Sequence, residues 1–161
     1  MKASCSTWSR SVAMALALTI AAAPALAGEE AAVAKANEQF YAALNAMFEG
    51  NLAPMEAVWS HAGEVTYLPP DGTLLVGWEQ VRASWQTQAS MKLGGHVAPE
   101  NVHVTVGSDL AAVCNFEKGA NTNVKGKKET VSIRSSKVFR KENGAWKLLS
   151  DHADPLPFLQ K

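Results

Sequence analysis

The chain reads as an α+β domain in which three N-terminal helices pack on a curved, mainly antiparallel sheet. Three observations predict this. Apolar residues recur at helical spacing as far as about residue 89, and from His96 onward the period changes to two. Between two late apolar runs stands Asn143-Gly144, the strongest short-range hairpin signal, because both central residues of a type I′ turn need φ > 0.

Residues 1–27 have the form of an export signal. Lys2 and Arg10 charge the start, residues 12–23 are rich in Ala and Leu without a charge, and Ala25-Leu26-Ala27 is a small-x-small cleavage site. The apolar run is shorter than the ~20 residues a membrane span needs, and Pro24 interrupts its end. Cleavage would leave residues 28–161 as a single domain, periplasmic or secreted, with no membrane attachment once the signal is gone.

Val33, Ala36, Phe40, Leu44 and Met47 then mark one stripe of an amphipathic helix over residues 29–49, ended by Gly50. Asn51 is placed to cap a short second helix that tolerates Pro54 in its first turn and carries Leu52, Met55, Val58 and Trp59 inward. Residues 64–68 read as a short strand stopped by Pro69-Pro70-Asp71-Gly72, where Asp71 is a turn former. Trp78, Val81, Trp85 and Ala89 define a third helix, closed by Gly94-Gly95.

The sheet follows. Val102, Val104 and Val106 alternate with polar residues, Gly107-Ser108-Asp109 turns the chain, and Leu110, Ala112, Cys114 and Phe116 share one parity. Over residues 129–140 the alternation slips near Ser135-Ser136, which predicts a β-bulge there. On the last strand, parity puts Trp146, Leu148, Ser150, His152 and Asp154 on one face, so that His152 would point inward with the tryptophan. Helices on one side would leave the other sheet face bare, with residues such as Val113 and Leu149 needing a cover, which predicts a homodimer packed sheet to sheet.

Composition excludes several classes. Removing Lys2 and Arg10 turns a balance of 15 basic and 15 acidic residues slightly acidic, so no positive field exists to bind nucleic acid. The one basic cluster, Lys125, Lys127 and Lys128, sits in a Gly/Asn-rich turn and reads as a solvated hairpin tip. Past the signal only Cys114 remains, a small buried hydrophobe in this reading, with no disulfide partner. His96 and His103 are seven apart and face opposite sides of a regular strand, which argues against a metal pair. Neither a nucleophile signature nor a Gly-rich phosphate loop is present.

The element order, together with E-V-T-Y-L-P-P-D-G-T-L-L-V-G-W-E-Q-V-R-A-S-W (64–85) and F-R-K-E-N-G-A-W-K-L-L-S-D-H (139–152), resembles the SnoaL-like branch of the nuclear transport factor 2-like superfamily. The resemblance implies a cone-shaped fold, a pocket between helices and concave sheet, no obligatory cofactor and frequent dimerisation. It also implies little about activity, since this scaffold hosts isomerases, dehydratases, cyclases and association domains. The resemblance sets His152 where many members carry a histidine near the end of the last strand. It does not place the tyrosine-plus-two-carboxylate set of the steroid isomerases on Tyr41 or Tyr67.

Two chemistries then compete with an association role. Trp59, Tyr67, Trp78, Trp85, Cys114 and Phe116 form the candidate ligand-binding set, giving an exported binder of a small apolar or aromatic molecule. His152 with Asp154 two residues on, helped by Tyr67, would instead support a cofactor-free isomerase, dehydratase or hydrolase. A sheet-edge histidine bonded to backbone is the structural account of the same residue. A homo-association module needs neither cavity nor histidine.

Overall fold

The computed structural model describes residues 22–123 and 125–154. Most of the expected export signal lies outside them. Helix α1 (Ala22–Phe48) starts seven residues before the expected boundary, because Ala-rich chain ahead of Glu29 is a strong helix former. All five stripe residues are buried, with Val33 and Met47 at 0% exposure. Helix α2 (Ala53–Val58) follows Gly50, whose φ of +92° stops α1. Leu52, not Asn51, occupies its N-cap and makes no side-chain bond there. Strand β1 (Thr66–Leu68) pairs with β2 (Leu75–Val76), a two-residue strand too short to leave a periodic signal. Asp71 turns the chain between them, accepting from Thr73 N at 2.9 Å.

Helix α3 (Trp78–Met91) leads into the long strands β3 (His96–Val106), β4 (Leu110–Thr122), β5 (Lys128–Glu142) and β6 (Ala145–Asp154). The six strands run β2-β1-β6-β5-β4-β3, all antiparallel except β1 beside β6. Asn143 and Gly144, at φ +50° and +82°, make the expected hairpin between β5 and β6. The helices lie on one face of the sheet. Trp59, Met55, Val33, Phe139 and Leu148 fill the hairpin end of the interior. Each such side chain contributes roughly 1.5–3 kcal/mol by leaving water.

Two glycines let β3 and β4 approach at the other end. A Cβ on Gly119 would stand 2.0 Å from the His96 carbonyl oxygen, and one on Gly95 would stand 2.1 Å from that of Ala120. Asn45 ties α1 to the same corner, donating to Val97 O and accepting from Val97 N, each at 2.9 Å.

Strand parity departs from expectation in all four long strands. No bulge interrupts β5: Val131, Ile133, Ser135, Lys137 and Phe139 all face the helices, and the apparent slip came from two polar residues that point inward. The bulge lies in β6 instead, where Val138 pairs with Ser150 and Phe139 with Leu148, leaving Leu149 as the extra residue. It inverts the rest of the strand. Trp146 and Leu148 are buried, but beyond Leu149 it is Asp151 and Ala153 that are buried, and His152 faces out. A second bulge in β3, between Glu100 and His103, brings His96 and His103 to the same outer face, opposite Ala120 and Cys114. Six residues of β4, about 20 Å at ~3.4 Å each, keep the two apart.

On β4 the parity runs opposite to the one expected. Val113 is fully buried under the helices, while Leu110, Cys114 and Phe116 are exposed on the outer face. Leu149 is half-buried against the core. Neither Val113 nor Leu149 needs an external cover, and Cys114 is not a buried hydrophobe.

Candidate functional site

The hairpin end of the interior is filled by buried apolar side chains, and the other end is hollow. A cavity of about 630 Å³ opens between α1, α3, β1 and the far ends of β4, β5 and β6. Phe40, Leu44, Tyr67, Trp85 and Val97 wall it, and Asp151 and Glu117 supply its charge. Register explains the convergence. Tyr67 pairs with Asp151 across the parallel β1–β6 ladder, and Asp151 pairs with Lys137 across β5–β6, so the three stand in one row on the inner face.

Lys137 is the unexpected member. It is fully buried, its ammonium 4.6 Å from the centre of the Phe40 ring and 4.7 Å from that of Tyr41. It donates to Tyr41 Oη at 2.9 Å, to Glu117 Oε1 at 3.3 Å and to Ser135 Oγ. Tyr41 donates to Glu117 at 3.0 Å and accepts from Asn115 Nδ2 at 2.7 Å. Asp151 Oδ1 lies 3.7 Å from the ammonium, an ion pair too long for a hydrogen bond, and has no hydrogen-bond partner. One buried cation thus faces two buried carboxylates, and Glu117 holds the closer contacts.

The electrostatics follow from that asymmetry. Burial pushes the Asp151 carboxyl up to about 6 against the pull of Lys137, with Glu117 adding to the rise. For Lys137 burial acts downward, but Asp151 and Glu117 together outweigh it and hold the ammonium above its ordinary value. Burial raises Tyr67 well above the ordinary phenol range, with Asp151 reinforcing it, and pushes Tyr41 up to about 12. Near pH 7 the cavity therefore presents an ionisable carboxylate at Asp151 beside a protonated phenol at Tyr67, which accepts from Gln88 Nε2 at 3.4 Å. A carboxylate beside a neutral hydroxyl donor can accept a proton from a bound molecule or hold a cationic group.

The expected ligand set divides. Tyr67 and Trp85 line the cavity, their rings stacked at 4.5 Å. Trp59 lies behind them in the core, 6.1 Å from the Tyr67 ring and 6.3 Å from Trp85. Trp78 is half-buried elsewhere, stacked on His61 at 4.2 Å. Cys114 and Phe116 lie on the opposite side of the sheet, in a groove of about 720 Å³ that also includes His103, Ser136 and His152. His152 is thus separated from the cavity by the sheet itself, because the Leu149 bulge reversed its face. Asp154 ends β6, paired with Arg134.

Asp151, Glu117 and Lys137 were missed from sequence. Each is a charged residue in a strand, which residue type alone assigns to solvent. The usable signal was Ser135-x-Lys137 continuing the inward parity of Val131 and Ile133. No cluster of three metal-ligating side chains occurs among the described residues.

The model of the SnoaL-like domain matches residues 33–156. No curated protein matches. Among solved structures, a proposed dehydratase of the nuclear transport factor 2-like family from Streptomyces avermitilis is 26% identical with a TM-score of 0.72, over 81% of this chain and 98% of that one. A proposed calcium/calmodulin-dependent protein kinase type II association domain from Thiobacillus denitrificans is 25% identical with a TM-score of 0.64, over 75% and 92%. A proposed ketosteroid isomerase from Shewanella frigidimarina, 21% identical with a TM-score of 0.61 over 76% and 94%, shares the fold. With the family model spanning α1 to the end of β6, the chain belongs to the SnoaL-like family of the nuclear transport factor 2-like superfamily.

Proposed function

We propose that this protein takes up a small, largely apolar or aromatic molecule in the inner cavity, with Asp151 as its polar anchor, and does so after export. The observation that carries the reading is the cavity of about 630 Å³ whose aromatic walls converge on a buried carboxylate, that of Asp151, with one oxygen lacking a hydrogen-bond partner. Such a site offers apolar area for affinity and one group for orientation.

A second reading, a cofactor-free isomerase or dehydratase, is favoured by one pair: Asp151, raised to about 6, next to a protonated Tyr67. Asp151 would take a proton from the substrate while Tyr67 donates a hydrogen bond to the oxygen that gains charge. The likeness to a proposed dehydratase accords with this reading. Homo-association through the outer sheet face is proposed alongside either one. Val102, Leu110 and Phe116 remain 41–46% exposed there, and one similar structure is a proposed association domain.

Native mass spectrometry of protein recovered from an exporting host tests export and binding together. The expected species begins at Gly28 and carries an additional small mass that is depleted in Asp151→Asn. A ligand-free wild-type species would count against the binding reading, and a retained Met1 would count against export.

A further inference from the structure

We infer that the molecule taken up by the inner cavity is a cation, an amine whose ammonium group sits against Asp151 and Glu117 while its apolar body lies on Tyr67 and Trp85. The inference rests on the reading of this cavity as the ligand site and adds the chemical class of the occupant.

Charge count is the first argument. Two carboxylates enter the cavity lining and, among the described residues that line it, no Lys, Arg or His does. Lys137 lies behind them, fully buried, and its hydrogen bonds already go to Tyr41, Glu117 and Ser135. One ammonium cannot neutralise two carboxylates, so an ionised Asp151 leaves the cavity with a net negative charge in a low-dielectric setting. A bound cation removes that excess, whereas a bound carboxylate would double it.

Geometry is the second. Asp151 lines the cavity and is nearly fully buried, and its Oδ1, 3.7 Å from the Lys137 ammonium, has no hydrogen-bond partner, so the carboxylate retains acceptor capacity for an ammonium. The stacked faces of Tyr67 and Trp85, with Phe40 edge-on to Trp85 at 6.4 Å, form an aromatic wall of the kind that attracts cations as well as apolar groups. An anion would find neither an exposed positive side chain nor a complementary field.

Charge also makes the preference depend on pH. The groups around Asp151 are Lys137 on β5, Glu117 on β4 and Tyr67 on β1, with Tyr41 on α1 bonded to Lys137 and Glu117, and His152 adjacent in the chain but on the outer face. Burial raises the Asp151 carboxyl to about 6, so the negative charge it gives the cavity is present above that pH and lost below it.

The test uses three probes with one aromatic body: 2-(1-naphthyl)ethylamine, 2-(1-naphthyl)ethanol and 1-naphthylacetate. Each is titrated into isotope-labelled wild type and Asp151→Asn at pH 8 and pH 5, with amide shifts locating the binding. Expected are shifts at Gln88, Val97 and Val131, an amine at least tenfold tighter than the alcohol at pH 8, and the acetate weakest. The advantage of the amine over the alcohol should fall several-fold at pH 5 and in Asp151→Asn. If alcohol or acetate binds in the cavity as tightly as the amine, the cationic class is wrong and the cavity reading stands. If none of the three perturbs the cavity residues, the cavity reading fails together with the inference.

Discussion

Asp151 is a residue whose usefulness and whose effect on stability point in opposite directions. Its carboxyl is raised to about 6 in the fold from an ordinary value of 3.8, so between these limits the folded protein binds a proton that the unfolded chain has released. Its contribution is therefore most favourable below about pH 4 and is lost as pH rises through about 6. A shift of that size corresponds to on the order of 3 kcal/mol at pH 7 for a group this buried. Asp151→Asn should accordingly melt higher than wild type at pH 8, with the difference shrinking toward pH 4.5; a lower melting temperature at pH 8 would mean that the Lys137 pair outweighs the desolvation. Lysine 137 escaped the sequence reading for a related reason. A lysine in a strand is assigned to solvent by composition, and only the two carboxylates and the tyrosine, distant in sequence, make its burial tolerable.

Elements were easier to read than faces. The α1 stripe, the α3 stripe and the Asn143-Gly144 hairpin all follow from local periodicity and turn chemistry, and the structure contains all three. A bulge is different, because one extra residue reverses everything beyond it and no local pattern announces it. Leu149 decides that Asp151, not His152, reaches the cavity, so half the candidate site hung on one residue of register. The close approach of β3 and β4 is likewise invisible to periodicity, though glycine marks it. Gly119 has φ +155°, and any Cβ there collides with the backbone of His96 rather than with a flexible side chain. Gly119→Ala should destabilise by about 3 kcal/mol or more, the upper part of the overpacking range, measured by urea unfolding. Gly126→Ala, at φ +78° but with open space around it, isolates the backbone term and should cost less, about 1 kcal/mol.

At the scale of the whole molecule, the sheet has one face covered by helices and one that is not. On the uncovered face, Cys114, Ser136 and His152 stand in a single cross-strand row, with His103 opposite Cys114 on β3, and Phe116, Leu110 and Val102 expose their side chains. Val113 and Leu149 do not face outward, but the parity of β4 delivers Phe116 and Leu110 to the outer face. A half-open antiparallel sheet normally presents polar residues to water, and large apolar side chains beside a wide groove are what a second sheet would cover. An interface of standard size buries about 800 Å² on each partner. Sedimentation at tens of micromolar should therefore give twice the protomer mass, and Phe116→Asp should give the protomer. Because Phe116 is 41% exposed in the protomer, that substitution should leave monomer stability within about 0.5 kcal/mol of wild type. A wild-type protomer mass under these conditions would leave the outer face without a homotypic role, while a Phe116→Asp variant that stays dimeric would move the interface off β4.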